Sequence, residues 1–482
     1  MKRRLFLAGA AGVAALPACA NAPQTSARPV LKPGDAMSRG AAAADGIIAR
    51  AGLGGRVGFA VADVETGQIL EAHNPLLPLP PASVAKAVTA LYALETLGAG
   101  FRFVTRLVAT GPIVNGRLDG DLVLVGGGDP ALDTDGLHDL AGQAKAAGLR
   151  EVKGRLLVDA LALPVIERID RTQPDHVGYN PAIGALNLNF NRVHFGWQRS
   201  GSGYQTTMQA RTERFRPGVS SARIRVADRS LPVYTYEREG DVDSWTVARG
   251  QLGNAGSRWL PVRRPDLYAG DVLHTMLRSN GITVTPARPG TGRGTTIATS
   301  QSAPLDRIVA SMLRYSTNLV AEVIGLTATT KRFGRPSSLG ASADAMSRWI
   351  ADQTRARRPD FDDHSGLNGS TRISAADMVG LLTTPGAMPR LRPLLRDMTL
   401  EGPPAQVIQA KTGTLNFVSG LAGYFDAPSG RTLAFATFTA DTERRNALGV
   451  AERERPRGGR AWAQRSRSLQ FDLIERWSMV HT

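Results

Sequence analysis

The sequence predicts a mixed α/β (α+β) protein, a sheet-and-helix domain split by a large β-rich insertion, and three observations carry that expectation. Two short strand-like runs are followed by a helix-period stretch at Ser83–Leu97. From about Phe103 to Arg263, short β-prone runs alternate with Gly and Asp turns, and long helical patterns are scarce. Helical patterns then resume, and the chain closes on an apolar β-prone run and an amphipathic helix. At 482 residues it can bury more than one core, so two or more units are expected.

In chain order, Lys2, Arg3 and Arg4 precede the apolar stretch Leu5–Leu16, which is too short to span a bilayer and reads as an export signal within residues 1–22. Arg3-Arg4-Leu5-Phe6-Leu7 resembles a twin-arginine signal. Cys19, the single cysteine, follows Leu16-Pro17-Ala18 in lipobox-like order. The signal therefore ends either in plain cleavage or in a lipid anchor at Cys19, and the expected destination is the periplasm or cell envelope. Residues 23–34, rich in Pro, Ser and small residues, read as a linker. Arg56–Val61 and Gln68–Ala72 flank Glu65-Thr66-Gly67 as a hairpin. Pro78, Pro80 and Pro81 break the chain before the helix, whose apolar positions Val84, Val88, Leu91 and Leu94 share a face and which Gly98 caps. The insertion is drawn at 103–263, as one or two subdomains with strands at Leu122–Val125, Arg155–Val158 and Arg223–Val226. It divides the main domain into a first part, 35–102, and a second, 264–482. The second part holds helices at Gly270–Ser279 and Leu305–Ala328, a strand at Arg431–Thr439, and a terminal helix at Ala461–Trp477 that covers the sheet.

The formal net charge of +16 comes from Arg, since only seven of the 58 basic residues are Lys. Such an excess suits solvated faces, or attraction to an anionic polymer or membrane surface. With no zinc-finger spacing, P-loop or RNA-binding aromatic signature, nucleic acid is not an expected partner. The seven histidines show no paired metal spacing, and Asp133-Thr134-Asp135-Gly136 lacks the remaining ligands of a calcium loop. Gly126-Gly127-Gly128-Asp129-Pro130 has no Lys-Ser/Thr after it and reads as a turn. No metal and no cofactor are expected.

Two of the seven lysines fall in short motifs. Ser83-Val-Ala-Lys86, Ser316-Thr-Asn318 and Lys411-Thr-Gly413 follow in that order, and each pattern type occurs once. A lone Ser-x-x-Lys is near chance in a chain this long; three ordered patterns are not. Ser and Lys at i and i+3 on a helix bring an amine within reach of a hydroxyl. For Lys86 to act as base it must be neutral, and lowering its pKa from about 10.4 to about 7–8 takes roughly 3–4 kcal/mol. Partial burial and a second cation, for which Lys411 is the candidate, can supply that. The helix N-terminus at Ser83 offers N–H groups to an oxyanion. Ser316 can relay a proton to a leaving amine, and Asn318 can hold a substrate amide. Lys411, Thr412 and Thr414 on an edge strand suit a peptide docked by strand addition, its terminal carboxylate held by cation and hydroxyls.

Pro81-Ala82-Ser83-Val84-Ala85-Lys86, with Ala90-Leu91 and Leu97-Gly98, resembles the low-molecular-mass class C penicillin-binding proteins, D-alanyl-D-alanine carboxypeptidases and endopeptidases that trim peptidoglycan. Gly120-Asp121-Leu122, Leu186-Asn187-Leu188-Asn189 with Asn191, Ala321-Glu322, Asp363 with Ser365-Gly366-Leu367, and Leu421-Ala422-Gly423-Tyr424 extend the likeness over nearly everything after the signal. The resemblance implies a penicillin-recognising transpeptidase-type domain, an antiparallel sheet flanked by helices and split by the insertion. It further implies Ser83 as the acylated nucleophile, Lys86 as its base, and Ser316 and Asn318 as cleft residues. Lys411 and Thr412 would contact the substrate carboxylate, with Gly413 completing the motif, and the N–H groups of Ser83 and Thr414 would form the oxyanion hole. Expected partners are peptidoglycan stem peptides, with β-lactams as inhibitors; oligomeric state stays open.

Three departures stand out. The family often has Arg where this chain has Gly369, with Arg372 nearby as a candidate substitute; the segment Ile169–Asn189 lacks a Trp-rich acidic stretch; and His364 replaces a usual Gly and reads as a surface-loop histidine. Two further readings share the motifs: a β-lactamase or esterase on the same site, and a non-catalytic scaffold that holds peptidoglycan.

Overall fold

In the computed structural model of the protein, residues 43–354, 359–400, 406–454 and 456–481 are described; the export segment 1–22 with Cys19 and the linker 23–34 lie outside them. Alternation along the strand Arg56–Asp63 sets up the main domain. Phe59 and Val61 point to one face and Ala60 and Ala62 to the other, all four fully buried. That strand is fifth in a six-stranded antiparallel sheet ordered Arg396–Leu400, Gln406–Leu415, Val418–Asp426, Thr432–Ala440, Arg56–Asp63, Ile69–His73. Phe59 lies opposite Thr437, so an early segment is closed into the sheet by one nearly 400 positions later.

The bulky face is covered by the terminal helix Gly459–Val480, through Trp462, Leu469, Leu473 and Trp477, together with the helix Ala44–Ala51. The other face is small, with Ala60, Ala62, Ala422, Ala434 and Ala436. Small residues let the helices Ala85–Leu97 and Ala375–Leu382 pack close against the sheet, and the helix Asn318–Phe333 packs in turn on Ala85–Leu97. The helix Ala85–Leu97 is buried from Ala85 to Leu94, which is why its polar Lys86 and Thr89 must find internal partners.

The insertion has its own core. A five-stranded sheet ordered Arg288–Pro289, Leu156–Asp159, Leu122–Val125, Val104–Ala109, Thr295–Gln301 packs on the helices Thr134–Ala146 and Pro265–Ser279. Two three-stranded sheets, built from residues 192–261, extend from it. The limit drawn at 263 therefore moves to about 302: Thr295–Gln301 pairs with Val104–Ala109, so the chain leaves the insertion only after that strand. Asp133, weighed as a calcium ligand, is the N-cap of Thr134–Ala146, its carboxylate accepting the Gly136 N–H. Ser316-Thr-Asn318 falls at the corner between the helices Leu305–Tyr315 and Asn318–Phe333, which break the stretch read as helical from Leu305 to Ala328.

Candidate active site

Ser83 does not open the α-helix. It sits in a single 3-10 turn, Ala82–Val84, and the α-helix begins at Ala85. Ala82 takes φ 47°, a left-handed conformation no α-helix can contain. Such backbone costs on the order of 1–3 kcal/mol and persists where its surroundings over-determine it. Two glycines do so. A Cβ on Gly366 would lie 1.9 Å from the Ala82 carbonyl oxygen, and one on Gly413 would lie 2.4 Å from that of Pro81. The loop after Ser365 and the Lys411 strand thus clamp the nucleophile turn by backbone contact that only glycine permits.

Lys86, with no exposed surface, donates from Nζ to Ser83 Oγ at 2.9 Å, Asn318 Oδ1 at 2.7 Å and Ser365 O at 2.8 Å. Burial, and after it the Lys411 cation, pull its pKa from 10.5 to about 7, against the pull of Asp363 and Glu322. Lys411 Nζ donates to Ser316 Oγ at 3.0 Å and to the Thr412 carbonyl at 2.8 Å; burial takes it only to about 8. The two amines are thereby assigned different roles near neutrality, one half-neutral and the other mostly cationic. Ser316 itself sits at φ 57°, at the C-terminus of its helix, aimed between Lys411 and the cleft.

Asn318 is more committed than a free substrate clamp. Its Oδ1 accepts from Lys86 and its Nδ2 donates to the Tyr179 carbonyl at 2.9 Å, which leaves one N–H for a bound carbonyl. Alternation along Gln406–Leu415 buries Lys411 and Gly413 and exposes Thr412 and Thr414. The neighbouring strand pairs only with Gln406–Ala410, so among the described residues Lys411–Leu415 has an open edge, which is the part strand addition needs. Gly413 acts by its close approach to Ser83 and contributes no side chain. A cleft of about 1170 Å³ is lined by Ser83, Ser316, Asn318 and Thr414, with Tyr179 and Arg445 among the residues on its walls; Thr412 lies outside the lining.

Behind Lys86 stands a buried acid pair, Glu322 and Asp363, to which the motifs assigned no role. Glu322 accepts the N–H groups of His364 and Ser365 at 2.9 and 3.0 Å, and Asp363 those of Gly366 and Asn368, both at 2.7 Å. Burial and the neighbouring Asp363 push Glu322 up to about 8, and burial pushes Asp363 up to about 6. A lone carboxylate inside the apolar run Leu319-Val320-Ala321-Glu322-Val323-Ile324, one turn past Asn318, was the available signal. His364 is not a surface residue. This turn folds inward onto the helix Asn318–Phe333, leaving His364 fully buried with its ring nitrogens against Ser342 Oγ at 2.8 Å and Met346 Sδ at 3.4 Å. At the other departure, Arg445 lies over Gly369, where an added Cβ would sit 2.9 Å from its guanidinium. Arg372 bonds to the carbonyls of Gly369 and Thr371 and faces an adjoining cavity; Arg445 is the one that reaches the cleft.

This constellation agrees with what the chain is similar to. A match to the D-Ala-D-Ala carboxypeptidase 3 (S13) family runs from residue 41 to residue 454. The chain belongs to this family. It is 27% identical over 461 residues to a D-alanyl-D-alanine carboxypeptidase of Actinomadura sp. (strain R39), covering 81% of this chain and 79% of the relative. To the D-alanyl-D-alanine carboxypeptidase DacB of Haemophilus influenzae it is 25% identical over 418 residues, covering 80% and 85%. The crystal structure of penicillin-binding protein 4 from Haemophilus influenzae shares the fold, with a TM-score of 0.72 at 20% identity over 92% of this chain and all (100%) of that one. As an S13-family member the chain is a serine-type D-alanyl-D-alanine carboxypeptidase.

Proposed function

We propose that Ser83 is the nucleophile of this carboxypeptidase and Lys86 its base, acting on peptidoglycan stem peptides outside the cytoplasm, in the periplasm or cell envelope. The observation that carries the assignment is the 2.9 Å contact between Ser83 Oγ and a fully buried amine with a pKa near 7. The neutral amine accepts the hydroxyl proton as Oγ adds to the carbonyl of the penultimate D-alanine. The oxyanion is met by the N–H groups of Ser83 and Thr414, a reading supported by the close approach of Gly413 to the Ser83 turn. The substrate carboxylate lies on the Lys411 cation, beside Thr412 and Thr414. Ser316, already bonded to Lys411, relays a proton to the departing amine as the C–N bond breaks. Water then adds to the ester, regenerating Ser83 and the free acid. β-Lactams enter the same path, their ring amide replacing the peptide bond.

The same chemistry releases a single D-alanine or splits a cross-link; only the size of the departing amine differs. Arg445, half-turned over Gly369 into the cleft, supplies at a different chain position the cation that relatives often carry at 369, and suits a carboxylate on the acyl side. Labelling with a fluorescent penicillin tests the assignment. Ser83→Ala is expected to abolish it and Lys86→Gln to slow it at least 100-fold. Labelling that survives in Ser83→Ala, or maps to another serine, refutes it.

A further inference from the structure

A second cavity, of about 480 Å³, lies across Asn318 and Tyr179 from the catalytic cleft and shares Tyr179, Ser316 and Asn318 with it as lining. The insertion supplies one wall, with Phe190 and Arg192, and the corner between the helices Leu305–Tyr315 and Asn318–Phe333 supplies the other, with Tyr315. Arg192 is the unusual element. Its guanidinium is mostly buried, stacked 5.3 Å from the Phe190 ring centroid and 5.7 Å from that of Trp259. Its Nε is buried without a partner, and no hydrogen bond or ion pair of the described residues reaches the group. The terminal N–H groups of a guanidinium held in this way, with no acidic partner, are free to meet an anion that enters the cavity.

The backbone that presents it is also costly. Asn189, Phe190 and Asn191 all take left-handed φ, at 51°, 57° and 51°. Buried side-chain bonds hold the turn: Asn189 to Thr134, Asn191 to the Ala182 carbonyl and Asn187. Strain of this kind, on the order of 1–3 kcal/mol per residue, is typically kept where a site needs it. Tyr315 completes the opposite wall and is 70% exposed, a large aromatic held out towards solvent.

The cavity adjoins Ser316, the residue placed to protonate the departing amine, so whatever leaves the acyl-enzyme lies towards it. A single D-alanine is too small to reach beyond the Lys411 anchor. A departing peptide strand is not, and it carries carboxylates. We propose that the cavity between Arg192 and Tyr315 is a subsite for a carboxylate on the departing strand of a cross-linked stem peptide, adapting the enzyme to endopeptidase action. This rests on the acyl-transfer reading of Ser83.

The test compares a cross-linked muropeptide dimer with a monomeric pentapeptide, using wild type, Arg192→Gln and Tyr315→Ala, with fluorescent penicillin labelling at Ser83 run on each. Arg192→Gln is expected to raise KM for the dimer about tenfold, as loss of a charge-assisted bond does, with kcat, pentapeptide hydrolysis and labelling little changed. Amidating the carboxylates of the departing strand should impose the same loss on wild type and none further on Arg192→Gln. Tyr315→Ala, at an exposed position, should show the same selectivity and decides the matter if Arg192→Gln proves misfolded. A wild type that leaves dimers intact, equal effects on both substrates, no effect on the dimer, or indifference to amidation each overturns the subsite. Absent labelling of Ser83 in wild type instead overturns the reading beneath it.

Discussion

The two lysines make the pH dependence of acylation a sharp test. In water an amine with pKa 10.5 is neutral in roughly one molecule in 3,000 at pH 7. Held at about 7, Lys86 is neutral in about half, a gain equivalent to about 5 kcal/mol of proton affinity removed by burial and by Lys411. The second-order constant for acylation by a penicillin, which reports groups in the free enzyme, should therefore fall below pH 7 as Lys86 takes up a proton. It should fall again above about pH 8 as Lys411 loses the charge that holds the carboxylate. The profile is thus a narrow bell. Lys411→Gln removes both the anchor and the second-largest cause of the Lys86 shift. Its profile should be lower throughout, lack the alkaline limb, and carry an acidic limb whose midpoint lies above that of wild type. Stopped-flow acylation between pH 5.5 and 9.5, read by midpoint and not by height, measures this. A rate flat across that range, or an acidic midpoint that moves down in Lys411→Gln, would refute the assignment of base and anchor.

Three further outcomes follow from particular contacts. Gly413→Ala places a Cβ 2.4 Å from the Pro81 carbonyl and 3.0 Å from the Ser83 nitrogen, both backbone, so strand and turn must part; acylation should drop about 100-fold, while unfolding in urea shows a loss of only about 1–3 kcal/mol. Burial holds His364 at about 3, so below about pH 6.5 the unfolded chain gains a proton that the folded one refuses, and stability falls with pH. Between pH 7 and 4 that contribution is about 3 kcal/mol, and in His364→Asn the urea-measured loss over this interval should shrink by that amount; an unchanged decrement would contradict the burial of a neutral imidazole. Asp363→Asn removes a charge that raises the Lys86 pKa, so the acidic limb should move down, with a lower plateau because one N–H of the turn loses its acceptor, at about 1–3 kcal/mol; a limb that moves up would show that Asp363 acts otherwise.

Much of this was legible in the chain because it is local. Helical spacing located Ala85–Leu97, and β-prone alternation located Arg56–Asp63 and Thr432–Ala440. Order and spacing of three motifs singled out Ser83, Lys86, Ser316, Asn318 and Lys411, and Lys86 touches both Ser83 and Asn318. What was not legible depends on contacts between distant segments. The insertion was drawn too short because Thr295–Gln301 owes its place to Val104–Ala109, a pairing no local pattern records. His364 was placed at the surface because a polar residue in a loop usually is, whereas Glu322 draws that loop's N–H groups inward. Arg445 was missed since nothing near Gly369 in sequence announces a guanidinium arriving from 76 residues on.

An acid pair behind a base that must shed its charge looks self-defeating, since each carboxylate favours the lysine cation. The structure removes most of the contradiction. Burial raises both acids, so that near neutrality Glu322 keeps its proton and the cluster carries about one negative charge instead of two. The carboxyl oxygens are occupied by four backbone N–H groups of the turn 364–368, not by the lysine. The acids reach Lys86 indirectly, by fixing the turn whose Ser365 carbonyl is one of its three acceptors and whose Gly366 presses on Ala82. Remaining charge keeps the amine from falling far below 7, where it would be too weak a base; burial and Lys411 keep it from rising towards 10.5, where it would be no base at all. The pair is therefore the structural cost of aiming a lysine, and its residual field sets the lower bound on how acidic that lysine becomes.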